Sequence, residues 1–172
     1  CGTTPAHITA IREAVEGYAP RTPVNNVGRN HMVSGIEPLQ YDDSMRPLFI
    51  GERTNVIGSR KFKELIVDGK LEEAAEIARA QVKNGAHVID ICLANPDRDE
   101  VEDMRNFMPE VVKKVKVPIV IDSTDERVME EALKFCQGKA IINSINLEDG
   151  EERFDAVMPL VKKYGAAVVV GT

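Results

Sequence analysis

The sequence predicts an α/β fold in which a parallel β-sheet alternates with helices, as in the βα units of a TIM-type barrel. Three observations carry this. Five short apolar runs rich in Val and Ile recur from residue 47 onward: PLFIGE (47–52), HVIDI (87–91), PIVID (118–122), AIIN (140–143) and AAVVV (166–170). Such continuous runs suit strands covered on both faces rather than strands with one wet face. Amphipathic helical stretches separate them, and three of these run into glycines placed as helix C′ residues, Gly85, Gly138 and Gly165. Strands joined in this order form a parallel sheet with right-handed crossovers. A doubly wound open sheet and part of an eight-stranded β/α barrel both satisfy the pattern, and five strands would be about half of such a barrel.

The elements follow in order. Thr4 can cap a helix, Pro5 suits its first position, and Ile8, Ile11, Val15 and Tyr18 form one apolar stripe. Residues 19–46 contain Pro20, Pro23 and Pro38, three asparagines and no sustained periodicity, the composition of a linker or extended arm. After the first apolar run, KFKELIVD reads as a short helix stopping at Gly69, and LEEAAEIARAQVKN as a longer one stopping at Gly85. Between the second and third runs, Val101, Met104, Met108, Val111 and Val115 space a helix that Pro109 should kink. DERVMEEALKFCQ and GEERFDAVMPLVKKY supply the last two helices. The expected division is 1–19 as the end of one domain, 20–46 as a linker, and 47–172 as the sheet-bearing unit. A chain that opens on Cys1 rather than Met reads as a piece of a longer protein.

Composition narrows the function classes. A net charge of −6 with Lys and Arg dispersed along helices argues against a nucleic-acid surface. No apolar run approaches the ~20 residues of a membrane span, and no signal segment opens the chain, so a cytoplasmic location is expected. The three cysteines are widely spaced, which implies no disulfide framework.

Polar residues stand at the C-terminal ends of four apolar runs. The first ends in Glu52 and leads to Asn55; the second carries Asp90; the third ends in Asp122-Ser-Thr124; the fourth ends in Asn143-Ser-Ile-Asn146. In parallel α/β folds these ends converge on one face, where sites are built. A buried carboxylate or carboxamide is costly unless something hydrogen-bonds it. A helix-capping reading also stands for individual residues: Asp125 or Thr124 can cap the following helix, as can Ser59. The loop GERTNVIGS invites a phosphate-binding reading, but its spacing rejects it. Six residues separate Gly51 from Gly58, Val56 occupies the position of the second glycine, and no Lys follows directly. Asp and Asn side chains suit instead an uncharged heterocycle bearing ring N–H, amino and carbonyl groups.

GERTNVIGSRKF, GAHVIDICLANPD, VPIVIDST, CQGKAIINSINLEDGE and KKYGAAVVV resemble the methyltetrahydrofolate-binding barrel of cobalamin-dependent methionine synthases. That barrel belongs to the pterin-binding family, together with corrinoid-protein methyltransferases and dihydropteroate synthases. The resemblance runs from about Pro47 to Thr172. CGTTPAHI resembles the end of the homocysteine-binding barrel of the same enzymes, where a Gly-Gly-Cys-Cys-Gly-Thr-Thr-Pro motif supplies two of three zinc-ligating cysteines, and Cys1 matches the last of them. VSGIEPLQY resembles the segment joining the two barrels.

The resemblance implies transfer of a methyl group from 5-methyltetrahydrofolate to cobalamin held by another module, and from there to homocysteine activated by zinc. Asp122 and Asn143 match the family's pterin-recognising Asp and Asn, with Asn55 and Asp90 at other positions on the site face. No residue stands out as the general acid, and the family's later site residues have no counterpart here. Cys92 departs from the Asn common in relatives; a buried cysteine there is inert by default. The zinc partners of Cys1 would lie outside this chain. His7 reads as an exposed helix residue, Cys136 as core or partly exposed, and His31 and His87 have no clustered metal-ligand neighbours. A stand-alone corrinoid-protein methyltransferase or other pterin enzyme is an alternative, as is an interdomain piece whose site is incomplete.

Overall fold

A computed structural model of the chain describes residues 2–23, 31–147 and 150–171. Five strands, β3 (Ile50–Asn55), β4 (Val88–Cys92), β5 (Ile119–Asp122), β6 (Ile141–Ile145) and β7 (Ala167–Val170), form one sheet in sequential order with every pair parallel. Helices α2 (Arg60–Val67), α3 (Leu71–Lys83), α4 (Glu100–Lys114), α5 (Glu126–Leu133) and α6 (Glu152–Tyr164) fill the crossovers. This is the α/β alternation the sequence predicts, consistent with part of a TIM-type barrel.

Alternation along the strands decides which face each side chain meets. Ile89, Ile91, Ile119, Ile121 and Ile142 pack outward against the helices, meeting Ala74, Ala78, Phe107, Met108, Met129 and Val157 in one buried core. Phe62 of α2 meets Phe107 of α4 edge-on, with ring centroids 5.2 Å apart. Ser59 caps α2 through its Oγ, Asp99 caps α4 and Asp125 caps α5. Gly69, Gly85 and Gly165 take positive φ at helix ends, which only glycine adopts without strain.

Several expectations change. The first sheet strand runs over 50–55 rather than 47–52. Phe49 uses its carbonyl and N–H on the His87 N–H and Nδ1, so the ladder begins only at Ile50 opposite Val88. A one-residue bulge between Gly51 and Thr54 then carries pairing on to Asn55. The helix α4 continues through Pro109 as one element; the carbonyl that Pro109 leaves without a donor belongs to Arg105, an exposed residue. Helix α5 ends at Leu133, and Gly138 is not among the positive-φ glycines. What Gly138 provides is space: a Cβ there would fall on Ser34 Oγ and on the Ser34 and Gly35 carbonyls.

That contact comes from the expected linker. Its described part carries an antiparallel pair, β1 (Met32–Ser34) and β2 (Pro38–Gln40), followed by a 3-10 turn at Asp43–Met45. Ser34 N donates to the Lys139 carbonyl, Ile36 N to the Lys116 carbonyl, and Lys139 N to Ser34 Oγ at 2.7 Å. Lys116 and Lys139 precede β5 and β6, so the pair docks at the N-terminal end of the sheet, and Val33 is fully buried there. Helix α1 (Pro5–Val15) has no buried residue. Its stripe, Ile8, Ile11 and Val15 with Tyr18 beyond, stays 57% to 79% exposed.

Candidate functional site

The face of the sheet turned away from the helices borders a half-open cavity of about 540 Å³. Asp90 lines it level with apolar Val120 and Ile141, Ile50 lies toward the strand starts, Asp122 and Asn143 stand one step nearer the strand ends, and Glu52 adds a third carboxyl to the wall. The polar layer follows from register. Asp122 and Asn143 are a direct pair between β5 and β6, and Asn143 Nδ2 donates to Asp122 Oδ1 at 3.3 Å. Asp90 lies opposite Val120, and Cys92, two residues further along β4, comes level with Asp122.

Asp90 is the electrostatic focus. It is only 5% exposed, and its Oδ2 is buried without a hydrogen-bond partner. Burial pushes its carboxyl from the ordinary 3.8 up to about 7, helped by the charges of Asp122 and Glu52 and opposed by a hydrogen bond from Asn55. Burial also raises Asp122, against a hydrogen bond from the Cys92 thiol. The Cys92 thiol is itself pushed up to about 11 by burial, so it stays protonated. Three carboxyl groups with few donors among them make a cavity that favours a ligand rich in N–H groups.

The predicted residues separate accordingly. Asp122, Asn143 and Asp90 line one cavity. Asn55 is buried beside it with its amide oxygen already engaged: Oδ1 accepts from Ile57 N at 2.8 Å and Gly58 N at 3.0 Å, and the side chain lowers the pKa of the Asp90 carboxyl. Asn55 therefore shapes the turn after β3 and steadies Asp90. The bulge in β3 is held from outside by Gln81 of α3, whose Oε1 accepts from Arg53 N at 2.6 Å. Thr54 Oγ1 donates to the Asp90 carbonyl, tying the two strands beside the site.

Cys1 lies outside the described residues, as does the linker stretch 24–30. Among the described residues no group of three or more His, Cys, Asp or Glu side chains is placed to hold a metal ion. His7 folds back on Thr4, its Nδ1 accepting from Thr4 N at 3.0 Å. No helix among the described residues is long and apolar enough to cross a membrane.

Two contributors escape sequence reasoning. Tyr41 lines the cavity from the arm that composition marks as linker, and nothing local signals its placement. Arg153, in the first turn of α6, donates to the backbone carbonyls of Ser123 and Ser144, the residues that follow Asp122 and Asn143. A cation in a helix's first turn is unfavourable for the dipole, and that mismatch is the signal available in the sequence.

The model of the family described as pterin binding enzyme matches residues 51–172, which span the sheet from β3 to β7 and all five crossover helices.

Proposed function

We propose that this chain, which belongs to the pterin-binding enzyme family, holds the pterin of 5-methyltetrahydrofolate in the β3–β7 cavity for methyl transfer within a cobalamin-dependent methionine synthase. The observation that carries the pterin reading is the Asp122–Asn143 pair beside the bare Asp90 oxygen. A 2-amino-4-oxo-pyrimidine edge offers adjacent amino and ring N–H donors and a carbonyl acceptor. Asp122 accepts from such donors, Asn143 both accepts and donates, and Asn55 supports through Asp90.

Demethylation of a tertiary amine needs its nitrogen protonated or strongly hydrogen-bonded as the bond breaks. Asp90, half protonated near neutrality, can hold a proton at the cavity wall. Cobalamin, when bound by its own module, supplies the acceptor for the methyl group. The residues of this chain bind the folate, orient it and exclude water from the pterin edge. Assignment to methionine synthase, with zinc and homocysteine at a preceding unit ending near Cys1, rests on the resemblance of residues 1–46. It is supported by the α1 stripe, which finds no cover among the described residues.

Calorimetric titration with 5-methyltetrahydrofolate tests the reading. Asp122→Asn should weaken binding about 10- to 100-fold, the range for a lost charge-assisted hydrogen bond. In protein carrying the adjoining modules, methyl transfer from methylcobalamin to homocysteine should be unchanged. Equal folate affinity in wild type and variant would remove Asp122 from the site.

A further inference from the structure

We infer that Arg153 is a positioning residue: its guanidinium ties the strand ends that carry Asp122 and Asn143 into one unit, and it governs pterin affinity through them without touching the ligand. The inference rests on the pterin reading for its ligand, though not for its geometry.

The ladder between β5 and β6 ends at the Asp122–Asn143 pair. Beyond it, the only backbone bond between the loop after β5 and the last residues of β6 among the described residues is a long one, Ser123 N to the Asn143 carbonyl at 3.4 Å. The β6 strand also shifts register against β7 between Ile142 and Ile145, so Asn143 and Ser144 sit where regular pairing lapses on that side too. The residues after Asp122 are thus left with little backbone support, and Asn143 and Ser144 form a gap that closes only at Ile145, which pairs with Val170 and accepts from Gly171 N at 2.9 Å.

Arg153 supplies it. Its Nη2 donates to the Ser123 carbonyl at 2.8 Å, its Nη1 to the Thr124 carbonyl, and both Nε and Nη2 reach the Ser144 carbonyl at 3.3 Å. One planar fork therefore spans the residues immediately after Asp122 and immediately after Asn143. No carboxylate forms an ion pair with Arg153 among the described residues, so its charge is spent on backbone carbonyls. These are charge-assisted bonds, roughly twice the strength of neutral ones. Arg153 does not line the cavity. Its effect on a ligand must pass through the loops it holds.

The chemistry demands Arg at this position. A lysine ammonium is a point charge whose donors diverge, and it cannot span three carbonyls in the plane of a guanidinium. Arg153 also stands in the first turn of α6 with Glu152 and Asp155, where the helix dipole opposes a cation. The carbonyl cluster offsets that opposition.

Hydrogen exchange of the ligand-free protein, read by mass spectrometry, tests the geometry directly. Arg153→Ala should speed exchange at 123–125 and 144–147 about tenfold while β3, β4 and α3 keep wild-type rates. The affinity for 5-methyltetrahydrofolate should fall about tenfold, the loss expected when charge-assisted bonds are removed at one step from the ligand. Arg153→Lys, which keeps the charge and favours folding, should recover little of either. Millimolar guanidinium ion added to Arg153→Ala should restore affinity; a general loss of stability would be worsened by the same ion. Unchanged exchange in the two loops, or wild-type affinity in both variants, would overturn the inference. Asp122→Asn is measured in parallel. If it loses affinity and the Arg153 variants do not, the Arg153 inference fails and the pterin reading stands. If the wild-type protein binds no folate, the pterin reading fails while the exchange data still decide the role of Arg153.

Discussion

Asn143 Nδ2 lies 3.3 Å from Asp122 Oδ1, across a direct register pair of adjacent parallel strands. That bond gives the Asp122 carboxylate an internal donor. Asp90, one step deeper, has the Asn55 amide and an oxygen with nothing. The two carboxyl groups share one cavity and differ in how far the fold satisfies them. The less satisfied one is the group that titrates near neutrality.

Asp90 should make stability depend on pH in a defined direction. Its carboxyl titrates at about 7 in the folded chain against 3.8 ordinarily. Between those values the folded chain retains a proton that the unfolded chain has released, so stability falls as pH rises through the window and levels off above about 7. Asp122, raised in the same direction, adds to this slope. Asp90→Asn removes the Asp90 contribution. Its melting temperature should exceed that of wild type at pH 8 by about 3 °C, for a gain on the order of 1 kcal/mol, and approach it near pH 4. Thermal melts across this range check it; a variant less stable than wild type at pH 8 would contradict the assignment.

Gly138→Ala should undock the β1–β2 pair. The added Cβ meets the Ser34 and Gly35 backbone, which cannot rotate aside as a side chain would. Overpacking of this kind costs about 1–3 kcal/mol. The expected result is faster proteolysis within residues 31–46, with the sheet core still folded by circular dichroism. Cleavage at the wild-type rate would show that the pair can shift to make room.

Gln81→Leu addresses the β3 bulge. The change removes the acceptor of the Arg53 N–H and the weak donor to Thr54 Oγ1 at 3.4 Å. Arg53 is exposed, so water can replace the acceptor and the cost should stay near 1 kcal/mol. The diagnostic readout is local: amide exchange at Arg53 and Thr54 should rise while β5 and β6 stay protected. Protection of Arg53 equal to wild type would mean the bulge holds without Gln81.

The strand and helix alternation is legible because each element announces itself locally. Doubly covered strands need unbroken Val and Ile, and Gly69, Gly85 and Gly165 terminate helices by a conformation written in their own backbone. Gly138 shows where this reasoning stops. By sequence it is one more helix stop, yet it is required by Ser34 and Gly35, about a hundred residues earlier. The arm has no readable period because its two strands are only three residues each and its docking bonds go to carbonyls of Lys116 and Lys139, about eighty and a hundred residues away. Likewise Asn55 stands at a strand end as a ligand residue would, and only the structure shows that its Oδ1 accepts from Ile57 N and Gly58 N in the turn after β3.

The sequence by itself determines the α/β order and the presence of Asp90, Asp122 and Asn143 within the strands, with only Asp122 at a strand's last residue, since both follow from periods of two and 3.6 residues along the chain. Tertiary structure decides which of those residues face each other, that β3 is bulged, that Tyr41 enters the cavity, and that Arg153 braces two loops. These depend on register and on contacts between residues far apart in the chain, and no local pattern encodes a partner that distant.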